Sequence, residues 1–377
     1  MLLLAVAAFA AAGNIHYQTP MLGAMAAEFG ADAQAIGWVP TMTFGGFLAG
    51  IVFLVPLGDR MDKRRLILVQ HAATIVALLA AGAATGPVTA AVSGFLIGLC
   101  SCYAQSVVPL AAELAAPQER GRAVGTILSA LFLGILFARL LGGAVAEHLG
   151  WRWSYMMAAA MVFSLTPALL AWLPDSPPKT SLRYLELLAS IPALLREHAD
   201  LRRVFATQAL VGICYGAFWA TIATMLLVTH GLGPGIAGLI AIPGAAGIFV
   251  ARPAGRWLDR SGPGPIVAAG SAVILAAYAV FAFGAIWPLA LALGAVLLDC
   301  GLRAAMVANQ TSVNVLLPEA RSRSNTIFGV AVWSGNAVGA FLASSALALS
   351  GWLAVCAISA LAAGGALAVQ LRAGFRR

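Results

Sequence analysis

The 47 residues from Leu66 to Ala112 contain no Asp, Glu, Lys or Arg. That is about twice the roughly 20 residues with which a helix crosses a bilayer. Four more runs are equally free of charge and long enough to span: Ala33–Gly58, Val204–Ala251, Ser261–Leu298 and Ser324–Leu371. Met1–Ala27 is another such run at the start. A charge at the centre of a membrane helix costs about 2.5–3.5 kcal/mol, so the uncharged runs are spans and the charges fall in turns. Only 10% of the chain is charged and 61% is hydrophobic, where soluble domains carry about 25% charge. This is the pattern of a polytopic membrane protein.

Turn signals divide the runs into twelve spans. Met1–Ala27 is span 1 and Ala33–Gly58 span 2, and Gly86-Pro87 separates spans 3 and 4. Span 5 runs over Ala123–Val145 with Arg139 inside it, and span 6 over Trp153–Leu173. Gly231–Gly235 separates spans 7 and 8, Trp287-Pro288 spans 9 and 10, and Ser350–Trp352 spans 11 and 12. The start lacks a basic segment, so no cleaved signal peptide is expected. With both termini in the cytoplasm, nearly all the turn arginines and lysines lie on that side, and Arg152 alone lies clearly on the other. The net charge of +8 therefore orients spans, and nucleic acid is not an expected partner. Cys100, Cys102, Cys214, Cys300 and Cys356 all sit in apolar runs without metal-ligand spacing, as small buried hydrophobes do. No cofactor and no metal is implied.

The turn after span 2 reads Val55-Pro56-Leu57-Gly58-Asp59-Arg60-Met61-Asp62-Lys63-Arg64-Arg65. It resembles the loop between helices 2 and 3 of the major facilitator superfamily, broadly G-x-L-x-D-R-x-G-R-K/R. Leu57, Asp59, Arg60, Lys63 and Arg64 match, while Val55 and Asp62 stand where the family has glycine. The halves of the chain also repeat. At an offset of 201, Gly37 matches Gly238, Pro117 Pro318, Arg120 Arg321, Arg122 Arg323, Gly134 Gly335 and Gly150-Trp151 Gly351-Trp352. At an offset of 200, Asp59-Arg60 matches Asp259-Arg260. The resemblance implies an all-α membrane protein with twelve transmembrane helices in two pseudo-symmetric six-helix bundles, related by an axis along the membrane normal. The expected division is residues 1–174 for the first bundle, 175–202 for a cytoplasmic linker on the membrane surface, and 203–377 for the second bundle.

In that fold spans 1, 4, 7 and 10 line a central cavity. Span 10 supports this by itself. Asp299, Arg303, Gln310 and Asn314 lie within roughly 60° of one helical face, a polar stripe that cannot face lipid. Asp299 is about 16 Å in from Trp287-Pro288, near mid-bilayer. Span 1 offers Asn14, Tyr17 and Gln18, span 4 Gln105, and span 7 Tyr215 and Trp219. The matching turns suggest a cytoplasmic gate of Asp59, Arg60, Arg64, Arg120, Arg122, Asp259, Arg260, Arg321 and Arg323, with carboxylates at helix ends facing arginines.

Span 5 resembles the G-x3-G-P-x2-G-G run of the superfamily's proton-driven exporters, but Ala138-Arg139 replaces Gly-Pro. Gly94 also precedes Phe95-Leu96-Ile97-Gly98, where the exporters often have arginine. The resemblance implies a secondary transporter of a small organic solute, an antiporter driving efflux against protons and working as a monomer in a bacterial-type inner membrane. Arg139 and Arg303 outnumber Asp299, which keeps an organic-anion importer or exchanger open, as does a non-transporting sensor of the same fold. No H-E-x-x-H, no G-x-S-G, no paired intramembrane aspartates and no nucleotide-binding loop occur, so an enzyme is not expected.

Overall fold

The computed structural model describes residues 1–58, 60–116, 118–176, 184–316 and 321–374, and within these all side chains except those of 185–187, 190, 248, 251, 252, 259, 321, 322, 373 and 374. Among the described residues there is helix and turn but no strand. Ten helices are long and apolar enough to cross a membrane. They are spans 2 to 7 (Ala33–Leu57, Lys63–Gly82, Pro87–Leu114, Arg120–Leu149, Trp151–Trp172, Ala199–His230) and spans 9 to 12 (Pro263–Ala285, Leu289–Leu316, Arg323–Ser350, Trp352–Arg372).

The two remaining spans are interrupted helices. Span 1 is Leu2–Asn14 followed by a 3-10 turn at Thr19–Met21 and a second helix, Leu22–Phe29. Pro20 has no N–H to offer the carbonyl of His16 four residues back, and its ring crowds that carbonyl. The His16 carbonyl instead accepts from Thr19 Oγ1 at 2.5 Å. Span 8 runs Pro234–Leu239, Ala241–Gly244, a 3-10 stretch Ala245–Val250, and Ala251–Ser261. Pro243 interrupts its hydrogen bonding in the same way. Span 2 also departs from α geometry, as a π-helix over Gly50–Leu54.

The packing repeats between the halves: span 1 against 5 and 7 against 11, 2 against 4 and 8 against 10, 3 against 6 and 9 against 12. Twelve spans thus form two pseudo-symmetric six-helix bundles. The repeated Gly-Trp pair has one job in both. Gly150 (φ 94°) and Gly351 (φ 77°) take left-handed conformations that a side chain would resist. Each sends a buried indole back into its own bundle, Trp151 Nε1 donating to Glu28 at 2.5 Å and Trp352 Nε1 to the Phe281 carbonyl at 2.6 Å.

The end of the molecule that carries Arg60–Arg65 is its basic end. There Asp62, the departure from the family pattern, caps span 3 by accepting from Arg64 N at 2.9 Å and ties down span 6 by accepting from Ser176 N at 3.0 Å. Lys63 pairs with Glu113 of span 4 at 2.7 Å, and Arg64 with Asp175 at 2.8 Å. After span 6 a helix at Tyr184–Glu197 lies against both halves. Tyr184 Oη donates to the Phe53 carbonyl at 2.7 Å, and Leu194 is buried with Leu201, Val313 and Phe328.

The halves meet at the opposite, far end. A Cβ at Gly143 of span 5 would stand 2.5 Å from the Pro234 carbonyl of span 8, and one at Gly23 of span 1 would stand 2.8 Å from the Ala223 carbonyl of span 7. Backbone contact this close is open only to glycine. Between spans 5 and 8 it stops toward the basic end, where nothing lies within 4 Å of a Cβ built at Gly121, Gly125 or Gly255, whereas spans 2 and 11 stay in touch, a Cβ at Gly329 standing 3.5 Å from Ile51. The far end is closed while spans 5 and 8 part toward the basic end.

Candidate solute and proton site

Where the closed far half gives way, an open-mouthed cavity lies between the halves, with about 340 Å³ of space counting its mouth. Spans 5, 7, 8 and 10 line it, with Phe132, Arg139, Tyr215, Gly244, Asp299 and Arg303 among the lining residues. Arg139 lies ten residues before the end of span 5 and Asp299 ten after the start of span 10, each about 15 Å along its helix. Both sit near mid-bilayer depth. Among the described residues neither span 1 nor span 4 supplies any of the lining, so of the expected set of spans 1, 4, 7 and 10 only 7 and 10 do, and spans 5 and 8 join them.

Arg139 is buried, at 4% exposure. Its guanidinium crosses from the first half to the second. Nη2 donates to Tyr215 Oη at 2.7 Å and to His16 Nδ1 at 3.2 Å. Arginine can only donate, so Nδ1 of His16 is the acceptor and a neutral ring carries its proton on Nε2. The cation also stacks on Trp219, with Cζ 3.5 Å from the ring centroid. Glu147, the carboxylate nearest in sequence, is engaged elsewhere and accepts from Gly235 N at 3.1 Å.

Arg303 makes the reciprocal crossing. It belongs to the second half, and its Cζ lies 4.3 Å over the ring of Phe132 in the first. Its Nε stands 3.6 Å from Asp299 Oδ1, an ion pair too long for a good hydrogen bond. Asp299 is 5% exposed. Two glycines of the interrupted span 8 make room for it. A Cβ at Gly247 would stand 2.7 Å from the Asp299 carbonyl, and one at Gly244 would stand 3.0 Å from Oδ2. The helix break thus lets span 8 lie directly against the acidic residue.

The structure gathers some of the sequence candidates and leaves others apart. Arg139, Tyr215, Trp219, Asp299 and Arg303 form one cluster. Gln18 is buried beside the span 1 break and accepts from Thr43 Oγ1 at 2.9 Å. Tyr17 is buried and would touch a side chain placed at Gly142. Asn14 is buried, and neither atom of its amide group has a hydrogen-bond partner. Gln105 and Gln310 are exposed toward the basic end, and Asn314 accepts from Asn325 at 2.8 Å. Of the gate candidates, Arg60, Arg120, Arg122 and Arg260 are exposed, while Arg64 and Arg323 are half-buried. Asp59 and the side chains of Asp259 and Arg321 lie outside the described residues.

Phe132, Gly244 and Gly247 were not among the sequence candidates for this cluster, and for His16 the sequence left packing and a proton relay equally open. Phe132 lies seven residues before Arg139, on the same helical face, which was the available signal. For Gly244 the signal was its neighbour Pro243.

Residues 4–317 match the family model described as Major Facilitator Superfamily. The chain is 33% identical to the uncharacterized transporter YgaY of Escherichia coli O157:H7 over 382 residues, covering 100% of this chain and 96% of that one. It is also 33% identical to the probable transporter SCO4007 of Streptomyces coelicolor, covering 95% of this chain and 83% of that one. Among solved structures, a variant of the nucleoside transporter NupG superposes with a TM-score of 0.78 at 14% identity, over 98% of both chains. That last likeness concerns the fold alone. Family model, full-length relatives and fold agree: the chain is a multi-pass membrane protein that belongs to the major facilitator superfamily.

Proposed function

We propose that this chain is a secondary active transporter that moves a small organic solute across a bacterial inner membrane by alternating access, with protons as the coupling ion. The observation that carries the reading is the cavity between the halves, closed at the far end and lined by a buried carboxylate and by two guanidiniums from opposite halves. A charge of this kind at mid-bilayer depth is costly and marks a solute or proton pathway. Asp299 is the proton carrier, alternating between an ionised form paired with Arg303 and a protonated form free of it. The basic end faces the cytoplasm, as its excess of Lys and Arg supports, so the structure is the inward-facing state. Residues 1–174 and 203–377 rock as two bodies joined by 175–202, with the turn arginines and Asp59 and Asp259 acting as gate. Each chain contains a whole cavity, so a monomer suffices. Efflux is the proposed direction, on the resemblance of the span 5 glycines to the exporters' run, from which Ala138-Arg139 departs.

Everted membrane vesicles with an acidic interior test the reading. They are screened with a panel of organic solutes while the interior pH is followed with a fluorescent dye. At least one solute should dissipate the gradient in wild-type vesicles and fail to do so with Asp299→Asn. If no solute separates the two, proton-coupled efflux through Asp299 is wrong.

A further inference from the structure

We propose, on the basis of the transport reading above, that the solute is an organic anion whose carboxylate or sulfonate group is held between Arg139 and Arg303. The first argument is charge. The cavity holds two guanidiniums and one carboxylate. Arg303 has Asp299 at 3.6 Å, but Arg139 has no carboxylate partner among the described residues, only a histidine nitrogen, a phenol and two aromatic faces. One carboxylate offsets only one of the two guanidiniums, so the cluster keeps one positive charge in excess. A buried cation without a counter-charge is strongly unfavourable, so a mobile anion is the group the site lacks.

The second argument is hydrogen-bond valence. Arg139 Nε, Arg303 Nε and Trp219 Nε1 are all buried and without a hydrogen-bond partner among the described residues, Arg303 Nε having only the long ion pair to Asp299. Each is an N–H, which can only donate. A ligand that completes the cluster must bring acceptors, and a carboxylate or sulfonate brings two or three on one charged centre. A cationic or purely apolar solute satisfies none of the three donors and faces a net positive wall.

The third argument is placement. Arg139 reaches from the first half onto Trp219 of the second, and Arg303 from the second onto Phe132 of the first. An anion between them ties one half to the other, which makes it a ligand to which the relative position of the halves responds. The rings of Phe132 and Tyr215 add apolar walls to the space. This assignment puts Arg139 in a binding role at the position where the exporters resembled by span 5 have proline.

The test uses the purified full chain in detergent and four probes of one size class: benzoate, benzenesulfonate, neutral benzenesulfonamide and cationic benzyltrimethylammonium. Binding is followed by titration calorimetry and by the change in intrinsic tryptophan fluorescence that Trp219→Phe removes. At least one of the two anions should bind, with at least tenfold higher affinity than the neutral and cationic probes. Arg139→Gln and Arg303→Gln should each weaken it at least tenfold, and Arg139→Lys should retain more affinity than Arg139→Gln. Thermal melting of each variant separates lost binding from lost fold, and the charge-retaining lysine keeps the comparison decisive if the glutamine variant is unstable. No binding of either anion by the wild type, equal binding of the neutral probe, or full affinity in Arg139→Gln would overturn the inference. Equal competition by chloride would make the ligand an inorganic ion and overturn it as well. Counterflow in proteoliposomes then separates the two readings. Benzenesulfonate that binds but is not exchanged contradicts transport and leaves the anion site standing, whereas counterflow of benzyltrimethylammonium alone does the reverse.

Discussion

Asp299→Asn is expected to abolish proton-driven accumulation of solute while leaving solute exchange within about twofold of wild type, an order-of-magnitude margin set by the near-identical shape of the two side chains. The side chain is buried in the cavity wall and its carboxylate is the acidic group in the lining. Asparagine keeps the volume and one acceptor oxygen, so the glycine contacts from span 8 and the fold should persist. What it loses is the choice between two protonation states. The pair with Arg303 is loose, 3.6 Å between Nε and Oδ1, and such a pair can be exchanged for a protonated carboxyl and a free guanidinium. Without that exchange the imposed pH gradient has no group to act on. The measurement is uptake into proteoliposomes with and without a pH gradient, beside counterflow without one. Full gradient-driven accumulation by the variant would remove Asp299 from the coupling mechanism.

Gly238→Leu is expected to cut transport at least tenfold and to hold the far end open, the scale of effect that follows when one of two alternating states is blocked. A Cβ at Gly238 would stand 2.5 Å from the Arg139 carbonyl and 3.4 Å from Gly143 Cα. Both atoms are backbone, so no rotamer change relieves the overlap, and spans 5 and 8 must separate. The core of each bundle is untouched by that separation, because the contact is between the halves. A cysteine at Ala241, buried in the cavity wall, reports the change. An impermeant thiol reagent added from the far side should label it quickly with Gly238→Leu and slowly without. Equal labelling in the two backgrounds would mean that this glycine contact does not close the far end.

What the sequence revealed follows from what a bilayer penalises. Charge is expelled from spans, so the apolar runs could be drawn from Asp, Glu, Lys and Arg, and glycine and proline turn signals divided them into twelve. The interruptions in spans 1 and 8 carry no charge and escaped that reading. Pro20 and Pro243 were the marks they left. Asp299 and Arg303 share one turn of one helix, so their pairing was visible at a spacing of four. The partners of Arg139 were not, since His16 lies 123 residues away and Tyr215 lies 76 away. No periodicity links residues on three different spans. Asp62 seemed a flaw in the family pattern and proves to be a cap that joins span 3 to the end of span 6. Gln105 and Gln310 show the opposite case: a polar residue on a span marks a face, but it does not say how deep the cavity reaches.

Alternation between a closed and an open far end, governed by Asp299, is the centre of this account, and a distance measurement tests it most directly. Spin labels at Leu149→Cys and Ile236→Cys, both exposed at the far ends of spans 5 and 8, report their separation once the five native cysteines are replaced. Double electron–electron resonance in lipid nanodiscs should give two distance populations whose proportions change between acidic and alkaline buffer. In the Asp299→Asn background the proportions should no longer respond to pH. A single far-end distance, the same at every pH and in both backgrounds, would contradict the account.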